Sequence, residues 1–312
     1  MSITGITNKD LPFNVARLLD IILEENPMHK SFLKNALKQA NDNELEMLSD
    51  YLNFCEKNGH ELNYIAESYL TFVADTLREQ IYFMKHKEYR HKSYADVAGH
   101  VYQDNDYMDK YMYGLAITSF FWPIHLEMGR LFVDTLPRNK SGRYLEIGPG
   151  HGYYMMKAMQ LCSFDDYLGI DISEASIKQT QAIIDHFKPE FKNKFDLRKI
   201  DFLEAEGLEK GSFDAIVMGE VLEHVEQPEV FLKRISDLAN DDAYIYVTTC
   251  INAPAIDHIY LWRTTGEIEK MIESCNLKIK TALRLPYEGK TMGEAEKENL
   301  SVNVAYILEK AS

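Results

Sequence analysis

Four cysteines in 312 residues, none arranged as C-x-x-C, leave this chain without the means for a disulfide scaffold or a thiolate zinc cluster. Cys55, Cys162, Cys250 and Cys275 read instead as separate buried thiols in a reducing compartment, and a cytoplasmic location is expected. Long apolar runs are scarce too. The longest uncharged one, Tyr111–Ile124, falls short of the roughly 18 residues a membrane span requires, and Pro123 interrupts it, so no membrane partner is expected. Met1–Asp10 has neither a basic segment nor an apolar core, which argues against an export signal. Cations are in deficit: 34 Lys and Arg stand against 49 Asp and Glu, a net charge of −15, with no clear basic patch. Nucleic-acid affinity rests largely on neutralising phosphates, so no nucleic-acid partner is expected. Internal repeats and low-complexity stretches are missing. What is there is an ordinary globular composition, 46% hydrophobic and 27% charged, long enough for two domains.

Residues 1–135 carry helical periodicity almost throughout and read as an all-α domain. Val15, Leu18, Leu19, Ile22 and Leu23 share one face of a helix over 14–25. Pro27 can open the next helix, and Asn43 is placed to cap a third that stops near Gly59. From Glu61 onward, Leu62, Ile65, Tyr69, Phe72, Val73, Leu77, Ile81 and Met84 recur at spacings of three and four, which predicts a long helix. Tyr107–Val133 is dense in aromatics. It reads either as a helix wedged between two domains or as a helix whose Tyr107, Tyr111, Trp122 or His125 also lines a pocket.

After a polar turn at 137–142 the pattern becomes alternating strands and helices, and residues 136–312 read as a second, α/β domain. Strands are predicted over 144–147, 167–170, 196–200, 215–218, 243–249, 277–285 and 303–308, the last close enough behind its predecessor to pair antiparallel. Helices are predicted over 153–161, 174–187, 228–238 and 265–274, and 290–299 reads as a charged loop. Between the first strand and its helix lies Glu146-Ile-Gly148-Pro-Gly150-His-Gly152. Its glycines force a tight turn and let a ligand approach the backbone where a helix N-terminus offers N–H groups and a positive dipole end. Acids stand where the first three strands end: Glu146, Asp171 and Asp201. In a doubly wound sheet that is the ligand's crevice. Asp171 is spaced to accept from ribose hydroxyls, and Asp201-Phe202 to meet an adenine ring. Singly each is a common strand end or cap; in order behind a glycine turn they predict a nucleoside-type cofactor.

These motifs, with Gly169-Ile-Asp171-Ile172-Ser and Phe213-Asp-Ala-Ile-Val-Met-Gly219-Glu220-Val-Leu-Glu223-His224-Val225, resemble class I S-adenosylmethionine-dependent methyltransferases over roughly residues 140–310. A nicotinamide dehydrogenase is the competing fold; the antiparallel last strand and the Glu-Val-Leu-Glu-His stretch favour the methyltransferase. The resemblance implies a doubly wound seven-stranded Rossmann-like sheet with an antiparallel last strand, carried behind the all-α part. It implies that Glu146, Gly148, Gly150 and Gly152 approach the methionine part of S-adenosylmethionine, Asp171 the ribose, and Asp201 and Phe202 the adenine, with Ile172 also among the cofactor-binding residues. Gly219 and Glu220 then border the sulfonium.

Methyl transfer asks the protein mainly to align an acceptor and remove its proton. His224 is the first candidate base, against the plainer alternative that it packs at the start of a helix. Similar E-x-x-E-H segments serve as divalent-metal ligands in small-RNA 2′-O-methyltransferases, which add a later His. Here Glu220, Glu223, His224 and His258 are the candidate metal ligands, and Glu223 and His258 join His224 as candidate catalytic residues; the same letters also occur in metal-free relatives. Asn252, Pro254 and His258, after the fifth strand, are placed to contact substrate. The expected activity is methylation of an O or N on a small-molecule metabolite, under a helical cap that also offers a homodimer face. A non-methylating use of the sulfonium, such as intramolecular cyclisation, and a non-enzymatic cofactor-binding scaffold are the other two readings.

Overall fold

Runs of β-branched and aromatic residues between glycine, asparagine and aspartate turns lay down seven strands: β1 (Arg143–Ile147), β2 (Asp166–Asp171), β3 (Phe195–Lys199), β4 (Phe213–Gly219), β5 (Ala239–Ile251), β6 (Leu277–Pro286) and β7 (Val302–Lys310). They form one sheet in the order β3-β2-β1-β4-β5-β7-β6. β1 to β5 pair parallel, and β7 lies antiparallel between β5 and β6. The computed structural model describes residues 10–102, 104–191 and 194–311. Residues 1–9, most of the stretch read as lacking an export signal, lie outside them.

The strand period of two sorts the side chains onto two faces. Tyr144, Tyr167, Val217 and Tyr246 point to one face, where Met128, Phe132, Met155, Met159 and Ile184 cover them. These come from α7 (Pro123–Thr135), α8 (Tyr153–Leu161) and α9 (Glu174–Phe187). Leu145, Ile147, Ile216 and Val247 point to the other, under Leu232, Ile235, Ile268, Ile272 and Ala295. The covering helices there are α10 (Pro228–Leu238), α11 (Thr265–Ser274) and α12 (Met292–Glu298). The order of the sheet reverses between β1 and β4, and their carboxyl ends open the crevice.

Ahead of the sheet run α1 (Phe13–Glu25), α2 (Lys30–Gln39), α3 (Asp42–Lys57), α4 (Leu62–His86), the short α5 (Tyr94–Val97) and α6 (Asn105–Phe121). Leu18, Leu19, Leu48, Phe54, Tyr69, Ile117 and Phe121 make their core, and Met156 of α8 and Ile183 of α9 pack into it. The helical part thus lies across the sheet's crevice rather than beside it, with α6 seated on the glycine turn. Met112 Sδ stands 3.9 Å from where a Cβ on Gly150 would be.

Four local expectations are corrected. Asn41, not Asn43, caps α3: its side chain accepts from the Glu44 N–H at 3.0 Å while the Glu44 carboxylate accepts from the Asn41 N–H at 2.8 Å. The aromatic stretch 107–133 is two helices, because Pro123 cannot continue the first and opens the second. The supposed loop 290–299 contains α12, whose Thr291 and Glu294 form a reciprocal capping box. In α4 the inward face changes chemistry halfway. Leu77, Ile81 and Met84 point outward, and Asp75 and Glu79 are buried. Their charges are met: Tyr107 and Arg78 bond Asp75, and Arg90 Nε lies 3.0 Å from both Glu79 oxygens.

Candidate active site

A chamber of about 840 Å³ lies between α6, α7 and the carboxyl ends of the strands. Gly148, Gly150 and Gly152 hold positive φ of 68°, 56° and 75°, so the chain turns sharply out of β1. At Gly148 a Cβ would meet Val221 Cγ2 at 2.6 Å, so this position takes no side chain. The turn is tied down from outside: the Gly148 N–H donates to Ile170 O at 2.8 Å, and the Thr180 hydroxyl to Gly150 O at 2.9 Å.

Asp171, at the end of β2, accepts from the Ser173 N–H at 2.8 Å and, longer, from the Gly150 N–H at 3.4 Å. Burial raises its pKa to about 6, against these backbone bonds, which favour the charge. Ile172 beside it is 40% exposed, a large apolar side chain turned into the chamber. Asp201 and Phe202 follow on the same wall; Asp201 Oδ1 accepts from the Leu203 N–H at 2.8 Å, and Phe202 is buried against Phe231. Gly148, Gly150, Gly219 and Glu220 face the chamber as well. Glu146 and Gly152 do not: they stand behind the turn. The Tyr144 hydroxyl donates to Glu146 Oε2 at 2.5 Å, and burial pushes that carboxyl up to about 8.

The second half of the site forms where β4 and β5 end. Glu220 has φ of 51°, a strained conformation for a residue with a Cβ, held by its N–H donating to Thr248 Oγ1 at 3.0 Å. Glu223 is fully buried; its Oε2 accepts from the Thr249 hydroxyl at 2.7 Å. Glu220 Oε1 and Glu223 Oε1 are buried and accept from no other residue, and the two carboxyls bond each other when one of them is protonated. Burial raises both carboxyl pKa values, and the Glu220 charge raises that of Glu223 further. The rings of His224 and His258 meet edge to face at 4.7 Å, and ligand atoms of Glu223, His224 and His258 lie within 4.8 Å of one another. Glu220, Glu223 and Cys250 form an overlapping group within the same 4.8 Å limit.

Both imidazoles are oriented by their far nitrogens. His224 Nδ1 lies 3.1 Å from Asp257 O and 3.4 Å from Asp257 Oδ2. His258 Nδ1 lies 2.6 Å from Ala253 O. Acceptors at both positions favour the Nδ1–H tautomer, which makes Nε2 the basic nitrogen of each ring. Burial and neighbouring His224 lower the His258 pKa to about 3, so it is neutral.

Pro254 and His258 face the chamber; Asn252 is fully buried, its amide donating to Arg263 O at 3.0 Å. Of the cap aromatics, Tyr111, Trp122 and His125 line the chamber and Tyr107 turns away, its hydroxyl 2.6 Å from Asp75 Oδ2. Two residues given no role from the sequence take part. Asp257 orients His224 and accepts from the Tyr111 hydroxyl at 3.2 Å, and Cys250 is buried beside both carboxylates. The Asp-His pair at 257–258 was the available signal for the first; nothing in the sequence marks the second.

The methyltransferase-domain family matches residues 124–280. No curated protein matches the chain. Solved structures share the fold at low identity. Mitomycin 7-O-methyltransferase MmcR is 12% identical, with TM-score 0.53, over 80% of this chain and 70% of that one. Phosphoethanolamine N-methyltransferase 2 of Haemonchus contortus, solved with S-adenosyl-L-methionine, is 12% identical at TM-score 0.53, over 70% of this chain and 60% of that one. Geranyl diphosphate methyltransferase, solved with SAM, is 14% identical at TM-score 0.50, over 72% and 99%. The strand order, the glycine turn and a family match over half the chain agree, and the chain belongs to the methyltransferase-domain family of class I S-adenosylmethionine-dependent methyltransferases.

Proposed function

We propose that the protein is an S-adenosylmethionine-dependent methyltransferase acting on an oxygen or nitrogen of a small molecule, and that Glu223, His224 and His258, with Glu220 beside them, would hold a divalent metal ion. The observation that carries this reading is one chamber with two differently built ends. At one end Gly148, Gly150, Asp171, Ile172, Asp201 and Phe202 surround space suited to an adenosyl group. Asp171 takes the ribose hydroxyls, Ile172 and Phe202 flank the base, and Gly219 and Glu220 border the sulfonium. Glu146 supports the turn from behind. S-adenosylmethionine, once bound, supplies an electrophilic methyl group.

At the other end Glu220, His224 and His258 line the chamber and Glu223 lies buried behind them; ligand atoms of Glu223, His224 and His258 come together within 4.8 Å, and Glu220 is grouped with Glu223 and Cys250. Two buried carboxyls side by side are costly to ionise, and a divalent ion would remove that cost. Glu223, His224 and His258 are the set that would hold it, with Glu220 beside Glu223, a mixed nitrogen and oxygen donor set suited to several divalent ions. Such an ion would acidify an acceptor hydroxyl. The acceptor's lone pair then forms the new bond to the methyl carbon as the carbon–sulfur bond breaks and sulfur keeps the electron pair. The acceptor's proton leaves to water or to a neighbouring base.

Calorimetry tests both ends separately. S-adenosylhomocysteine should bind one per chain, and Mn²⁺ should bind one per chain in wild type and fail to bind after Glu223→Gln or His258→Ala. Undiminished Mn²⁺ affinity in both variants would return Glu220, Glu223, His224 and His258 to metal-free roles, with His224 Nε2 as the base. No affinity for S-adenosylhomocysteine would remove the cofactor assignment.

A further inference from the structure

The helical side of the chamber has a chemistry of its own. Phe72, Tyr111 and Trp122 stand ring against ring, with centroids 5.1 Å apart for Phe72–Tyr111 and 5.7 Å for Phe72–Trp122. Met108, Met112 and Leu115 fill in around them. Aromatic edges and faces recognise flat rings through offset and edge-on contacts, and methionines adapt to irregular outlines.

Charge on this wall is as telling as shape. Among the described residues no Lys or Arg lines the chamber, whereas Asp171, Asp201, Glu220, Glu226 and Asp257 do. The polar groups on the helical side, Thr76, Gln80, Ser119 and His125, are uncharged. His125 Nδ1 lies 2.7 Å from the Thr118 hydroxyl, and burial lowers its pKa to about 4. His151 on the glycine turn is lowered to about 4 for the same reason. A divalent ion held by Glu220 and Glu223 would balance two negative charges and leave no surplus. A phosphate or carboxylate on the helical side would shed its hydration and find no Lys or Arg to pair with. An uncharged ring system would trade water for apolar contact on three sides.

We propose that the methyl acceptor is a molecule with an aromatic body and no anionic group, rather than a phosphorylated or carboxylated metabolite. The inference deepens the methyltransferase reading and rests on it. The chamber has the room: about 840 Å³ is near the top of the range of roughly 300–1,000 Å³ for small-molecule sites, enough for an adenosyl cofactor and a second ligand.

The test is calorimetry on the full chain saturated with S-adenosylhomocysteine, titrated with 2-naphthol, 2-naphthoate and 2-naphthyl phosphate. These share one ring system and differ in charge. 2-Naphthol should bind at least tenfold more tightly than either anion. Leu115→Arg, which puts a cation on the α6 wall, should raise the affinity for 2-naphthoate relative to 2-naphthol by tenfold or more. Equal or tighter binding of an anion by wild type overturns the inference, as does a protein that binds S-adenosylhomocysteine but none of the three probes. Failure to bind S-adenosylhomocysteine at all would instead strike the underlying methyltransferase reading, so the two failures are distinguishable.

Discussion

Asp171, half-buried, and Glu146, fully buried, are both acids near the glycine turn, yet their environments assign them opposite work. Asp171 faces the chamber, and its two backbone N–H donors hold a carboxylate in place for hydroxyl donors. Asp171→Ala should therefore weaken S-adenosylhomocysteine by more than tenfold in calorimetry while the protein stays folded. Because its pKa is raised to about 6, wild-type affinity should be flat above pH 7 and fall as the pH drops through about 6, where the acceptor is protonated. Glu146 is turned inward against Tyr144, with a pKa of about 8. A folded pKa raised above the unfolded one means that its contribution is fully present below about pH 4.5 and is lost as pH rises through about 8. Glu146→Gln, the shape of the neutral form, should remove that loss, so the variant gains stability relative to wild type between pH 7 and 9 in urea unfolding. An unchanged difference across that range would show that Glu146 is ionised in the fold.

At the scale of elements, the sequence carried the sheet almost entirely. Runs such as Tyr144–Ile147 and Ala215–Met218 are buried on both sides because helices cover both faces, and the glycine and aspartate signals between them are local. The errors fall where periodicity and local chemistry disagree. The stripe Leu77, Ile81 and Met84 has helical spacing but faces outward, since Tyr107 and Arg90 claim the inner face of α4 for Asp75 and Glu79. In 290–299 the charge density hid a helix whose only start signal is Thr291-Met-Gly-Glu294. That signal is testable. Thr291→Ala deletes the side-chain acceptor of the Glu294 N–H, and should cost about 1 kcal/mol in urea unfolding. Glu296 on the same helix accepts from both the Thr265 N–H and hydroxyl at 3.0 Å, so fraying of α12 should also raise hydrogen exchange at the start of α11.

On the scale of the whole molecule, the glycine turn, the acids at strand ends and the Glu-x-x-Glu-His segment could be read along the chain, because each is a contiguous motif. The pairing of Tyr111 with Asp257 could not, since those residues are 146 positions apart and meet only when α6 lies across the crevice. That contact links the helical part to the reacting end of the chamber: the Tyr111 hydroxyl donates to one oxygen of Asp257, and the other lies 3.4 Å from His224 Nδ1. Partners of this kind fix the orientation of a metal-binding imidazole, and their loss typically weakens metal binding about 10- to 100-fold. Tyr111→Phe keeps the ring that packs on Phe72 and removes only the hydroxyl. It should lower Mn²⁺ affinity about tenfold while S-adenosylhomocysteine affinity stays within twofold, both by calorimetry. Asp257→Asn, acting on His224 directly, should lower Mn²⁺ affinity further. If Tyr111 served only to pack the wall, Phe would leave Mn²⁺ binding untouched. If it ties the two halves together, Mn²⁺ should also slow hydrogen exchange along α6 in wild type and fail to do so in Tyr111→Phe, a readout that packing alone does not produce.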